Sequence, residues 1–224
     1  MTTLTYQGAE ATNKVFRNTF ILLATTLVPT ALGTFLGMSM GLPELMASSP
    51  WLSFFGFLGV AFLMIAAINA LSQSAAAIPM IWVFAGVMGA VLSGVVSVAL
   101  KRADGAQLVA LAAIGTAAVM AGCSMYAMTT KRNFSSMGGF LFGSLLAVIA
   151  VSLLNVTVFQ LPILATIIAC VALVLFSAYM IYDVQQIVNG GQTNYVLATV
   201  GVYLNMVNIF SSLLQILLGL NSDD

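Results

Sequence analysis

The stretch Tyr195–Leu220 reads YVLATVGVYLNMVNIFSSLLQILLGL, carries no formal charge, and decides the fold. A bilayer-spanning helix needs about 20 predominantly apolar residues, and this run supplies them. Its small and polar residues are ordered: Gly201, Asn205, Asn208, Ser212, Gln215 and Gly219 follow at spacings of 4, 3, 4, 3 and 4. That spacing puts them on one face of a helix, with Val, Leu, Ile, Met and Phe on the others. A membrane helix with one small, amide-bearing stripe turns it toward protein rather than lipid.

The rest of the 224-residue chain has the same character. It is 61% hydrophobic and 5% charged, with a mean hydropathy of +1.10, whereas soluble domains are about 45–50% apolar and about 25% charged. Twelve charged side chains cannot cover a water-soluble surface of this size, so lipid must. Reading outward from the last run predicts six more spans, at about 18–40, 51–71, 78–100, 107–128, 137–159 and Pro162–Val188. The runs are continuous rather than alternating, which excludes barrel strands. The fold class is therefore all-α, a polytopic membrane protein with seven transmembrane helices. No composition shift divides it: residues 18–220 read as one domain, residues 1–17 as a polar N-terminal tail, and residues 221–224 as a short acidic tail.

Basic residues set the orientation. With the N-terminus inside, Lys14, Arg17, Lys131 and Arg132 face the cytoplasm, and Lys101 and Arg102 do not. Four against two favours a cytoplasmic N-terminus, and seven spans then put the C-terminus outside. The first apolar run is too long for the h-region of a signal peptide, and no A-x-A site closes it.

Several functions are excluded by composition. Net charge is zero, so nucleic acid has no electrostatic footprint. There is no histidine for a triad, a metal site or a pH switch. Cys123 and Cys170 both lie in apolar runs and read as buried free thiols. No cofactor is implied.

Eleven of the twelve charges fall in loops or tails; Asp183, in the sixth span, is the exception. An intramembrane acid costs about 2.5–3.5 kcal/mol on insertion scales and marks a functional site by default. The Gly190-Gly191 connector makes spans six and seven antiparallel neighbours. Counting from it puts Asp183 at a depth of about 9 Å and Asn205 at about 16 Å, so a direct hydrogen bond is allowed but not required. Tyr203 or Gln186 falls closer to a matching level, and Asn69, Gln73 and Asn155 are further candidates for the same polar core, each alone reading as interhelical glue. An aspartyl protease needs two acids sharing a proton, and a serine-type protease needs a base. With neither available, the sequence reads as non-enzymatic.

The segment from Phe176 through Tyr182-Asp183, Ile187, Gly190-Gly191, Thr193-Asn194-Tyr195, Ala198-Thr199, Tyr203 and Asn208-Ile209-Phe210 to Leu213-Leu214 resembles the Bax-inhibitor family of seven-span membrane proteins. Lys14-Val15-Phe16-Arg17-Asn18-Thr19, Thr129-Thr130-Lys131-Arg132 and Gly138-Gly139 resemble its bacterial YccA branch in particular. The resemblance implies a central seventh helix wrapped by the other six, which agrees with the stripe. It also implies one of two activities in the bacterial inner membrane. One is association with the AAA protease FtsH and its partners HflK/HflC, as substrate and modulator. The other is a pH-dependent Ca²⁺ leak gated by two aspartates. Asp183 matches the first of these, but Asn205 stands at the second, and residues 51–71 hold no base to pair with Asp183. An acid and an amide cannot titrate as a coupled pair, so the FtsH reading is preferred.

Overall fold

The structure, a computed structural model, describes residues 2–220, with the backbone alone for residues 2–9 and 11. The acidic tail at 221–224 lies outside the described residues. All regular structure among the described residues is helical: α1 (Thr2–Ser39), a short α2 (Leu42–Ser48), α3 (Pro50–Leu71), α4 (Ala77–Leu100), α5 (Gly105–Thr129), α6 (Gly138–Leu154), α7 (Pro162–Val188) and α8 (Tyr195–Leu220). Seven of these are long and apolar enough to cross a membrane, α2 being the exception. The bounds of α7 and α8 coincide with the two apolar runs read from the sequence. The polar head is not separate from the first span: α1 is helical from Thr2, and the apolar span within it begins at Thr12.

α8 is the middle of the bundle. Some 61% of its span is buried, against 39% or less for every other span. It packs on α1, α3, α4, α5 and α7. α6 rests mainly on α7 and faces α8 across a groove. The core centres on Tyr203, 1% exposed, whose ring meets Phe84 edge-on at 5.8 Å. Its hydroxyl donates to the Ala85 carbonyl at 3.2 Å and lies 2.9 Å from the Thr30 hydroxyl. Lipid offers a buried hydroxyl no partner, so this one is satisfied by α1 and α4.

α1 and α4 approach most closely, through small residues. A methyl group at Gly33 would overlap the Gly86 carbonyl, and one at Gly89 the Thr30 carbonyl. The Thr34 hydroxyl crosses the same seam to the Gly89 carbonyl at 2.9 Å.

Side chains tie the loops at one end of the bundle. The buried Gln185 amide accepts from the Phe134 N–H at 2.9 Å and donates to the Arg132 carbonyl at 2.8 Å. Asn194 donates to the Ser72 carbonyl at 3.1 Å. The opposite end carries α2, the 101–104 turn and a π-turn over Asn155–Phe159. There Asn155 brackets Leu161, donating to its carbonyl at 3.3 Å and accepting its N–H at 3.1 Å. Asn155 therefore closes the α6–α7 turn rather than joining a polar core. Asn69 and Gln73 are exposed near the end of α3, where no protein neighbour demands their amides, and they too lie outside that core.

Candidate functional site

Asp183 sits near the end of α7, and the chain reverses just after it. Gly190 holds φ at 75°, a left-handed conformation that glycine adopts without steric cost. At its neighbour Gly191 the Gln186 amide packs close over the backbone, and a side chain there would make that amide shift. The Gln192 N–H then donates to the Gln186 carbonyl at 2.8 Å. Asn194 opens α8 by accepting from the Val196 N–H at 2.9 Å, which satisfies one of the free amides of the first turn.

This turn brings Gly201 level with Asp183. A Cβ at Gly201 would stand 2.9 Å from the Asp183 carboxylate, so the missing side chain is what admits the acid. One helical turn deeper, the Asn205 amide donates to Asp183 Oδ2 at 2.7 Å. The backbone depths of the two residues differ, and the reach of the side chains across Gly201 closes that difference. Asn205 is buried at 4% exposure, and Asp183 is half-buried.

Above the pair lies a polar cavity of about 290 Å³, lined by Tyr182, Asp183, Gln186, Gly191, Gln192 and Gly201 among others. Gln186 thus faces the same space as Asp183, toward the loop end of the bundle. The site brings together one carboxylate, one buried amide that holds it, and a small polar vestibule on the other side.

The remaining stripe residues do not join it. Asn208 is half-buried, and its amide donates to the Leu204 carbonyl of its own helix at 2.8 Å. Ser212 is buried. Gln215 is exposed, and its amide returns to the Ser211 carbonyl and hydroxyl, both at 3.2 Å. These three line a second space, a groove between α8, α3 and α6. At the far end of the stripe, Gly219 lets Thr166 of α7 pack closely. Even spacing on one helix face therefore serves two neighbourhoods: α7 meets the stripe at Gly201, Asn205 and Gly219, and the groove opens at Asn208, Ser212 and Gln215.

Two features were not singled out in the sequence. Gln185 gave no spacing signal and reads as one more polar residue beside Gln186. The α1–α4 seam did leave one: Thr19, Thr26, Thr30 and Gly33 fall on one face of α1, where Thr30 and Gly33 meet Gly89 and Gly86.

A family model described as "Inhibitor of apoptosis-promoting Bax1" matches residues 12–223. A protein of Vibrio cholerae described as an uncharacterized membrane protein is 36% identical over 215 residues, 95% of this chain and 92% of its own length. The Escherichia coli K12 protein named "Modulator of FtsH protease YccA" is 34% identical over 209 residues, 92% of this chain and 90% of that one. A Campylobacter jejuni protein is 42% identical over 118 residues, about half of each chain.

Proposed function

The chain belongs to the Bax inhibitor family, and from that premise we propose that it is a non-enzymatic protein of the bacterial inner membrane that modulates the protease FtsH and is also its substrate. The observation that carries this reading is the likeness, over nine-tenths of both chains, to a protein named as a modulator of FtsH. HflK/HflC, as partners of FtsH, belong to the same proposal. The N-terminus is assigned to the cytoplasm, where FtsH would engage it. Supporting this, the Thr199 hydroxyl near the start of α8 reaches the Thr19 carbonyl at 3.4 Å, and Gln185 holds the Arg132 carbonyl. All four inner cations (Lys14, Arg17, Lys131, Arg132) thus share one end of the bundle, as the positive-inside rule asks.

The handle for an ATP-driven protease would be the helical extension of α1 ahead of Thr12, about 15 Å long at 1.5 Å per residue. The test is turnover of the full chain by purified FtsH in vesicles. Deleting residues 1–10 is expected to slow that turnover several-fold, and the intact chain is expected to slow degradation of a second membrane substrate. Unchanged turnover of the truncated chain would remove the handle; an unaffected second substrate would remove the modulator reading.

The vestibule over Asp183 favours a second reading, an ion pathway. Against it, Ca²⁺ takes 6–8 oxygen ligands, usually with several carboxylates, and this site offers one carboxylate already held by an amide. Background Ca²⁺ flux across neutral pH is expected for wild type and Asp183→Ala alike, with Asn205→Asp raising it. A wild-type flux abolished by Asp183→Ala would favour the channel.

A further inference from the structure

Asn208, Ser212 and Gln215 of the α8 stripe face a groove of about 420 Å³, at the end of the bundle that carries α2. α3 packs on α4 and α8, and α6 on α7, so the space between α3 and α6 opens sideways toward lipid. Its walls include Phe54, Phe57, Leu145, Ile149, Ile168 and Phe176, and its polar lining is Ser53 of α3, Ser152 of α6 and Asn208, Ser211, Ser212 and Gln215 of α8. Among the described residues, the hydroxyls of Ser53, Ser152 and Ser212 make no hydrogen bond, and the Asn208 amide oxygen accepts none. Ser212 is only 4% exposed, and what exposure it has is to this groove. Hydroxyls in membrane helices ordinarily bond back to their own backbone, as Thr116 and Ser177 do here at 2.7 Å. Three helices therefore direct unpaired polar atoms into one apolar cleft, where lipid tails offer no partner.

Ser53, three residues into α3, lies at the membrane edge; the depth of the α8 atoms selects the occupant. Counted from Leu220 at 1.5 Å per residue, Ser212 lies about 12 Å and Asn208 about 18 Å inward, within a hydrocarbon core about 30 Å thick. A lipid keeps its ester and headgroup atoms at the edge of that core. A transmembrane segment can place a hydroxyl or an amide at any depth. The groove is too narrow to swallow a helix about 10–12 Å across, but it accepts the side chains along one face. We infer that the α3–α6 groove docks a transmembrane helix of a partner protein whose mid-bilayer Asn, Ser or Thr side chains pair with Asn208, Ser152 and Ser212. This does not rest on FtsH being the partner.

The test uses the full chain, labelled with a donor fluorophore in vesicles, and two acceptor-labelled peptides of about 20 residues. Both are Leu-Ala helices; one carries a central Asn and the other Leu. Energy transfer to the Asn peptide is expected to half-saturate at about tenfold lower density, equivalent to about 1.4 kcal/mol. That is the range of interhelical polar contacts in model peptides. Ser152→Leu, which fills the rim, and Ser212→Ala, which removes the deep hydroxyl, should each reduce the preference to about twofold or less. Equal association of the two peptides, or a preference that survives both variants, overturns the proposal. So does transfer between two copies of the chain that Ser152→Leu blocks, which assigns the groove to self-association. Lipid retained through purification by wild type but not by Ser152→Leu overturns it in favour of lipid, and labelling of Ser212→Cys by a charged thiol reagent in favour of water.

Discussion

α1 and α3 both pack against α4, yet they are held in opposite ways. The α3 span is the more hydropathic, at 2.3 against 1.8 for α1, but 6% of it is buried against 33% for α1. In water the order would be reversed, since apolar surface is driven inward. In a bilayer, lipid tails are as apolar as leucine, so association depends on close packing and hydrogen bonds between helices. α1 has both, in Gly33 against Gly86, Gly89 against Thr30, and the hydroxyls of Thr30 and Thr34. α3 has neither along most of its length: Ile68 is its one buried residue, and Gly56 and Gly59 have nothing within 4 Å of where a side chain would start. Hydropathy put seven helices in the membrane; shape and polar contacts arranged them there.

The largest effect expected from this contrast is at Gly89. A Cβ there meets the Thr30 backbone, which cannot swing aside as a side chain would. Overpacking of this kind costs about 1–3 kcal/mol, and Gly89→Ala is placed at the upper end because both partners are main chain. Unfolding of reconstituted protein by a denaturing detergent measures it. A neutral Gly89→Ala would mean that close approach is not what holds α1 to α4.

The two neighbourhoods of the α8 stripe repeat the contrast on one helix. Asn205→Leu removes the amide from the half-buried Asp183 carboxylate. Leaving such an acceptor unpaired costs about 1–3 kcal/mol, and a loss of about 2 kcal/mol is expected. Gln215→Leu replaces an exposed amide bonded only within its own turn, so a change within about 0.5 kcal/mol is expected. Equal losses at both positions would erase the division of the stripe.

Much of this was legible from residue type and spacing. Span length and the polar stripe depend on local sequence, so the ends of α7 and α8 and the burial of Asn205 could be read directly. The Asp183–Asn205 bond could only be allowed, because counting residues gives backbone levels and says nothing of side-chain reach across Gly201. Gln215 was placed on the same face as Asn205, and it is; what covers that face depends on where α6 lies, and no spacing on α8 encodes this. Asn155 illustrates the opposite error. An amide close to the end of a span has unpaired backbone within reach, and it serves that turn before any distant core.

Tyr203 tests the satisfied side of the molecule more gently. Tyr203→Phe keeps the ring against Phe84 and deletes only the hydroxyl shared by α1 and α4. Hydrogen bonds between membrane helices average about 0.6 kcal/mol, because the separated helices find other partners; a loss of about 0.6–1 kcal/mol in the same unfolding assay is expected. A loss above about 3 kcal/mol would show that polar pairing rather than close packing dominates the α1–α4 contact.

The smallest effect belongs to α3, and its sign is the informative part. Gly59 lies within the helix with open space around it. Gly59→Ala therefore removes no contact and meets no obstacle, and it relieves the conformational freedom that glycine loses on folding, worth about 0.5–1 kcal/mol in a helix interior. Slight stabilisation, up to about 0.5 kcal/mol, is expected in unfolding of the isolated protein. The same substitution is the mirror of Gly89→Ala, one methyl added to one membrane helix, differing only in what stands opposite. If Gly59→Ala destabilised the isolated protein as much as Gly89→Ala, a neighbour would have to press on α3, and the free face described here would be an interface.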